Sequence, residues 1–272
     1  MNETKFDIAG LVERTIRKAG LDNRSQTVLE NRFGLFSPEP STLQELGDVY
    51  NITRERIRQV EVYAVNRVKI ELKKLSEADD LLDFTKEYLD SSGGIKRHEQ
   101  ARDELRSLFK NGTEPDIFGN QIKFIYRIAE YPKYFRENDT YHDFWYLGED
   151  VYRRLHSIHT DLIKKLKCVE HFEEVLRQAI KPHGITEVVA MNYLSVSKKI
   201  GIGPYGDLGL SHWEEINPRT VRAKVYLVLK KHPAPMHFRE IAETTGCHPP
   251  TVHNELIKDR RFKLVSRGTY TL

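Results

Sequence analysis

The run Thr53-Arg54-Glu55-Arg56-Ile57-Arg58-Gln59 packs guanidinium, carboxylate and amide groups into about two helical turns. Those groups match the edges of DNA bases in a major groove, where Arg pairs with guanine, Gln with adenine and Glu with cytosine. Thr53 can cap a helix, and the positive end of that helix would favour a backbone phosphate. Arg54, Glu55, Arg58 and Gln59 are expected outward, with Ile57 and Val60 turned inward at helical spacing. Arg56 and Arg67 have the character of phosphate contacts. A charged, solvated face without any ligand fits the same residues.

Other groupings are weaker. On a second helix near the C-terminus, Thr251, His253, Asn254 and Lys258 would face outward, and Arg260, Arg261, Lys263 and Arg267 follow where phosphates would lie. Glu255 and Asp259 dilute that charge, and DNA contact and protein docking remain equally open for this module. The aromatic residues Tyr131, Tyr134, Phe135, Tyr141, Phe144, Trp145 and Tyr146 could stack bases, but their alternation fits hairpin pairs and core better. His156, His159, Cys168 and His171 superficially suggest zinc spacing, against which the helical phase and the lone cysteine argue. There is no nucleophile motif, phosphate loop or compact carboxylate pair, so neither catalysis, a cofactor nor a metal is expected.

Positioning such side chains requires a mainly α fold. Helices are expected from Phe6 to Lys18, from Ser25 to Arg32 ending at Gly34, from Leu43 through Val49, from Thr53 towards Leu75, and from Ala78 to Leu89. The glycine-serine break Ser91-Ser92-Gly93-Gly94 suggests the end of a first domain, residues 1–90. Three segments beyond it share one pattern, helical stretches followed by two short strands. The first, 95–148, would pair Tyr134-Phe135-Arg136 with Phe144-Trp145-Tyr146-Leu147 across Asn138-Asp139. The second lies in 151–216, after a long helix from Val151 to Leu166, and turns at Gly203-Pro204-Tyr205-Gly206. The third, 217–272, has helices Thr220 to Lys231, Phe238 to Thr245 and Pro250 to Lys258, then a hairpin turning at Arg267-Gly268. The expected architecture is an N-terminal helix-turn-helix followed by tandem winged-helix domains with short β-hairpin wings.

Arg32-Phe33-Gly34-Leu35, Thr42-Leu43-Gln44-Glu45-Leu46-Gly47 and Ile52 through Glu61, taken in order, closely resemble region 4 of bacterial sigma factors of the sigma-70 class, over about Leu21 to Lys74. The resemblance implies a helix-turn-helix that reads a minus-35 promoter element in double-stranded DNA while another face docks on the flap of the RNA polymerase β subunit. It assigns base reading to Arg54, Glu55 and Gln59, a phosphate to Arg56, and the DNA-facing side to Arg58. A polymerase-facing surface around Val28, Leu29 and Phe33 is implied too, although those residues suit a plain core equally. The strand-capturing region of a complete sigma factor would have to precede this segment, and only about twenty residues do. Promoter melting by this chain alone is therefore not expected. The stretch Pro235 through Ala242, with Thr251 through Leu256 and Arg261 through Tyr270, resembles a HARE-HTH domain, a winged-helix family found in the RNA polymerase delta subunit and in DNA-associated eukaryotic and restriction proteins.

Composition sets few limits. Of 272 residues 31% are charged, yet the net charge is only +3, so nucleic-acid binding rests on local clusters. The length suffices for a buried core without disulfides, and Cys168 and Cys247 give no disulfide framework. The polar start and the absence of a long apolar run point to the cytoplasm, with nucleoid association, and to no membrane partner. The resulting expectation is a DNA-binding transcription regulator. The alternatives are an RNA polymerase-binding, anti-sigma-like accessory protein that reads no DNA, and a DNA-recognition subunit of a restriction or defence system.

Overall fold

The computed structural model describes residues 6–109, 112–175 and 183–272. The chain forms two compact units, Met1–Ser157 with Ile185–Val196, and Ile158–Gly184 with Ser197–Leu272.

In the first unit, α1 (Ile8–Lys18) is capped by Asp7, whose carboxylate accepts from the Gly10 amide, and α2 (Asn23–Phe33) is capped in the same way by Asp22 through Ser25. Gly34 ends α2 at φ 60°, a left-handed conformation that costs glycine least. α3 (Leu43–Tyr50), α4 (Arg54–Leu72) and α5 (Ser76–Ser91) follow, then β1 (Ile95–Arg97), α6 (His98–Leu108), α7 (Pro115–Ala129), β2 (Lys133–Phe135) and β3 (Phe144–Tyr146). The helix anticipated from Thr53 towards Leu75 stops at Leu72, and a new helix starts at Ser76. α8 (Glu149–Lys165) carries the chain from one unit into the other.

A single apolar core joins α1, α2, α4, α5, α6, α7 and β3 through Ile16, Leu29, Val68, Leu81, Leu105, Ile125 and Trp145. The glycine-serine break is consequently a turn within a packed unit and not the edge of a domain. Gly93 and Gly94 adopt φ 83° and 81°, and the carbonyl of Gly94 accepts from the Leu147 amide at 3.0 Å. The same turn binds a distant helix, α10 (Glu187–Ser195), whose Asn192 side chain donates to Ser92 O at 3.0 Å while the Tyr193 hydroxyl donates to Gly93 O at 2.9 Å. Residues 151–216, expected to form one module, are thus divided between the two units. Buried carbonyls exposed by the turn need donors, and α10 supplies them.

The second unit contains β4 (Glu170–His171), α9 (Phe172–Val175), β5 (Ile200–Ile202), β6 (Asp207–Leu210), α11 (Val221–Lys231), β7 (Met236–His237), α12 (Phe238–Thr245), α13 (Pro249–Lys258), β8 (Lys263–Ser266) and β9 (Thr269–Thr271). Val225, Ile241, Val252, Leu256 and Tyr270 form the core of its C-terminal winged helix. The fold is mainly helical with small antiparallel sheets. Each sheet has three strands rather than the two expected, in the orders β1-β3-β2, β4-β6-β5 and β7-β9-β8. The added strands are two or three residues long, too short to show the alternation that reveals a strand in sequence.

The aromatic segment resolves into hairpin pairing. Phe135 lies opposite Phe144 with stacked rings 4.8 Å apart, and Tyr134 lies opposite Trp145 at 4.5 Å. Among the described residues no three metal-ligating side chains converge. Of the zinc-spaced residues, His159 shares a hydrogen bond with Ser197 at 2.9 Å, His171 lies beside Asp207, and Cys168 is exposed.

Candidate nucleic-acid interface

The helix-turn-helix is built from α2, α3 and α4 around a small core of Val28, Leu46 and Ile57, with Leu43, Tyr50 and Ile52 packed against it. A capping box starts α3, in which the Glu45 amide donates to Thr42 Oγ1 at 3.2 Å and the Thr42 amide to Glu45 Oε2 at 2.8 Å. Two features set the turn into α4. Asn51 takes a left-handed conformation, φ 51°, and Ile52 N donates back to Gly47 O at 2.9 Å. A Cβ on residue 47 would stand 2.8 Å from the Ile52 carbonyl oxygen, so the chain can close here only on glycine. Thr53 then caps α4, its hydroxyl accepting from the Arg56 amide at 3.2 Å.

At this capped end the structure brings the expected set together. Arg54, Glu55, Arg56, Arg58 and Gln59 are exposed, and Ile57 between them is fully buried. Glu55 and Arg58 form a bidentate pair at 2.9 and 2.7 Å, and Arg56 donates to Gln59 at 3.0 Å. The hydrogen bond from Arg58 holds the Glu55 carboxyl below its ordinary range and raises the Arg58 guanidinium in turn. Arg54 makes no hydrogen bond or ion pair among the described residues. The face is therefore pre-ordered by local pairs that base or phosphate groups could exchange with, and Arg54 stands open at its tip.

Arg67 is placed differently. Its Nε donates at 3.1 Å to the carbonyl of Ala19, the C-cap of α1, and ties α4 to α1. Thirteen residues beyond Arg54, it lies about 20 Å further along the helix axis, so it is a packing residue and not part of the reading end. Val28 and Leu29 are fully buried and Phe33 packs on the main core, so these residues do not form a docking surface. Arg24 lies next to the same end of α4, although the sequence reading passed over it. It sits 5.1 Å over the Tyr50 ring and lines a groove with Arg56, Gln59 and Tyr63. Its position in the first turn of α2, the first helix of the helix-turn-helix, was the available signal.

Glu61 is the least expected residue of α4. It is buried, accepts from Arg32 Nε at 3.1 Å and from Arg127 Nη2 at 3.4 Å, and so clamps α4 to α2 and α7.

In the C-terminal winged helix the expected residues divide. Thr251, Asn254, Lys258, Lys263 and Arg267 are exposed. His253 packs between Phe238 and Tyr270, with ring centroids at 4.8 and 6.1 Å. Arg261 closes on Asp259 at 2.6 Å and lies 4.7 Å over the Tyr226 ring, so both it and His253 serve the fold. The pair with Arg261 holds the Asp259 carboxyl down at about 2. Ile257, Leu264 and Val265 of the same module are exposed too, giving its surface an apolar component that charge patterning did not reveal.

A capped helix joined by a glycine-tight turn to a short preceding helix forms a helix-turn-helix, and residues 19–69 match the family described as Sigma-70, region 4. Over 52 residues the chain is 48% identical to RNA polymerase sigma factor SigA4 of Synechococcus elongatus, an alignment that covers 19% of this chain and 17% of that protein. The chain thus spans about a sixth of the length of this relative. No solved structure matches. All seven residues singled out in α4 and its cap, Thr53 to Arg67, fall inside the matched stretch. No helix among the described residues is long and apolar enough to cross a membrane.

Proposed function

We propose that the chain is a sigma-factor-like transcription regulator in the cytoplasm and nucleoid that binds duplex DNA through the N-terminal end of α4. Arg54, Glu55 and Gln59 read bases of a minus-35-type promoter element. Arg56, Arg58 and Arg24 hold its phosphates, and RNA polymerase is the protein partner, with the β flap as the docking point. The observation that carries this reading is the grouped exposure of five polar side chains around a buried Ile57, at a helix start fixed by Thr53 and Gly47. Among the exposed cations of the C-terminal winged helix, which we take as HARE-HTH-like, Lys263 and Arg267 would add phosphate contacts and raise affinity through effective concentration.

Footprinting on a duplex bearing a minus-35 hexamer, with and without RNA polymerase, tests the proposal. Arg54→Ala should weaken binding to that duplex by about 1–3 kcal/mol, roughly five- to 150-fold, and narrow the gap to a scrambled duplex. Equal affinity of the unmodified protein for the two duplexes would refute base reading. The exposed Ile257, Leu264 and Val265 favour a second reading for the C-terminal module, protein docking without DNA contact. Under that reading the chain still co-purifies with polymerase when Lys263 and Arg267 are both replaced by alanine, and duplex affinity is unchanged.

A further inference from the structure

A cavity of the first unit lies between α2, α7 and the β2–β3 hairpin, with a volume of about 540 Å³, within the range of small-ligand sites. Four cations line it, Arg32, Lys123, Arg127 and Lys133, against one carboxylate, Glu130, which is itself closed on Lys69 at 2.6 Å. The acids that pair with the four cations, Glu61, Asp143 and Glu149, are not among the lining residues. Two guanidinium groups share the single carboxylate of Glu61, so one positive charge there has no full counterpart. Six aromatic rings, with Pro40, Asn120 and Pro132, form the rest of the wall. Arg127 lies 4.9 Å over Phe33 with its side chain 58% exposed, and Lys123 lies 4.5 Å over Tyr134.

This combination has a chemical meaning. Cations whose counter-ions do not line the cavity favour an anion there, and burial lowers the Lys123 ammonium below its usual range, a penalty that a bound anion would relieve. A guanidinium plane already stacked on one ring is a platform for a second planar group. An inorganic anion would use the charge and leave the aromatic wall unoccupied. A nucleotide uses both.

We propose that this cavity binds a nucleotide, with its phosphates towards Lys133 and Arg32 and its base against Arg127 and the aromatic wall, either as a free nucleotide or as an unpaired nucleotide of single-stranded DNA. The site is separate from the reading end of α4 and stands whether or not that helix contacts DNA.

Isothermal titration of the full chain with adenosine triphosphate, inorganic tripolyphosphate and a short single-stranded oligonucleotide of mixed sequence tests it, with Trp145 fluorescence as a second readout at the cavity wall. Saturable binding of the nucleotide or the oligonucleotide is expected, tighter than that of tripolyphosphate. Lys133→Ala should weaken it roughly tenfold, the loss of one charge-assisted phosphate contact. Arg127→Lys keeps a cation for Glu61 but removes the plane, and should weaken the nucleotide while leaving tripolyphosphate unchanged. Binding by both nucleotide and oligonucleotide identifies a free-nucleotide site, and binding by the oligonucleotide alone identifies a strand site. Tripolyphosphate bound as tightly as the nucleotide, no saturable binding of either, or binding untouched by both substitutions would overturn the proposal. Lys133 is 45% exposed and its alanine variant should keep the native thermal midpoint, so a negative result is not a folding failure.

Discussion

Replacing Glu61 by alanine should cost the first unit about 2 kcal/mol. The side chain is 9% exposed and accepts two charge-assisted hydrogen bonds, from Arg32 and Arg127. Breaking a buried ion pair by removing one partner costs about 3–5 kcal/mol when the remaining charge stays buried. That condition is only partly met. Arg32 is 30% exposed and keeps its bond to Ser41 O at 2.9 Å, and Arg127, 58% exposed, can turn to water and adds little. With a urea slope of about 2 kcal/mol per molar, the Glu61→Ala midpoint should fall by about 1 M, followed by Trp145 fluorescence within the same core. Arg127→Ala should cost less than about 1 kcal/mol, because Glu61 retains Arg32. Glu61→Gln keeps an acceptor and should lie between the two. A Glu61→Ala midpoint indistinguishable from that of the unmodified chain, or a larger loss from Arg127→Ala, would refute the idea that Glu61 is the hub of the clamp.

Gly47→Ala should destabilise the helix-turn-helix by about 1–3 kcal/mol and weaken duplex binding in a gel-shift assay, because its Cβ would meet the backbone oxygen of Ile52 at 2.8 Å and not a movable side chain. Burial, and then the nearby Lys123 charge, push His98 down from 6.5 to about 4, so the unfolded chain takes up the proton first as pH falls. Stability should accordingly be full above about 6.5 and decline down to about 4, a slope in the pH dependence of urea midpoints that His98→Gln should flatten.

Local chemistry was legible in the sequence. Thr53 reads as a cap and acts as one, Gly34 ends α2, and the hairpins turn where glycine and asparagine allow. Residues separated by long stretches of chain were not. The resemblance implied a partner-facing surface at Val28 and Leu29 while a plain core suited them equally, and only their cover by α4 and α7 separates the two. Glu61 reads as one more charge on a charged helix, and only the approach of Arg127, 66 residues away, makes it a buried acceptor. In the same way Arg67 and Arg261 look like phosphate ligands until Ala19 O and Asp259 are found beside them. A cation's role depends on whether the fold supplies it with a partner, and composition does not encode that.

The residues proposed to read bases and the frame that holds them occupy different parts of the chain. Thr53 to Gln59 lie inside the stretch that matches Sigma-70 region 4, which ends at residue 69. α7, which begins at Pro115, supplies much of the frame. Asn120 Nδ2 donates to Gly34 O at 3.2 Å and Pro38 O at 3.3 Å, and Gln121 Nε2 donates to Leu35 O at 2.8 Å, satisfying carbonyls left open where α2 ends. Arg127 completes the contact through Glu61. The loop between α2 and α3 is therefore held by donors outside the matched stretch, and α4 inherits its orientation from them. Similarity over the matched stretch explains which side chains emerge at the capped end of α4. The direction in which they point is set by α7, whose own outer wall is the cationic, aromatic cavity.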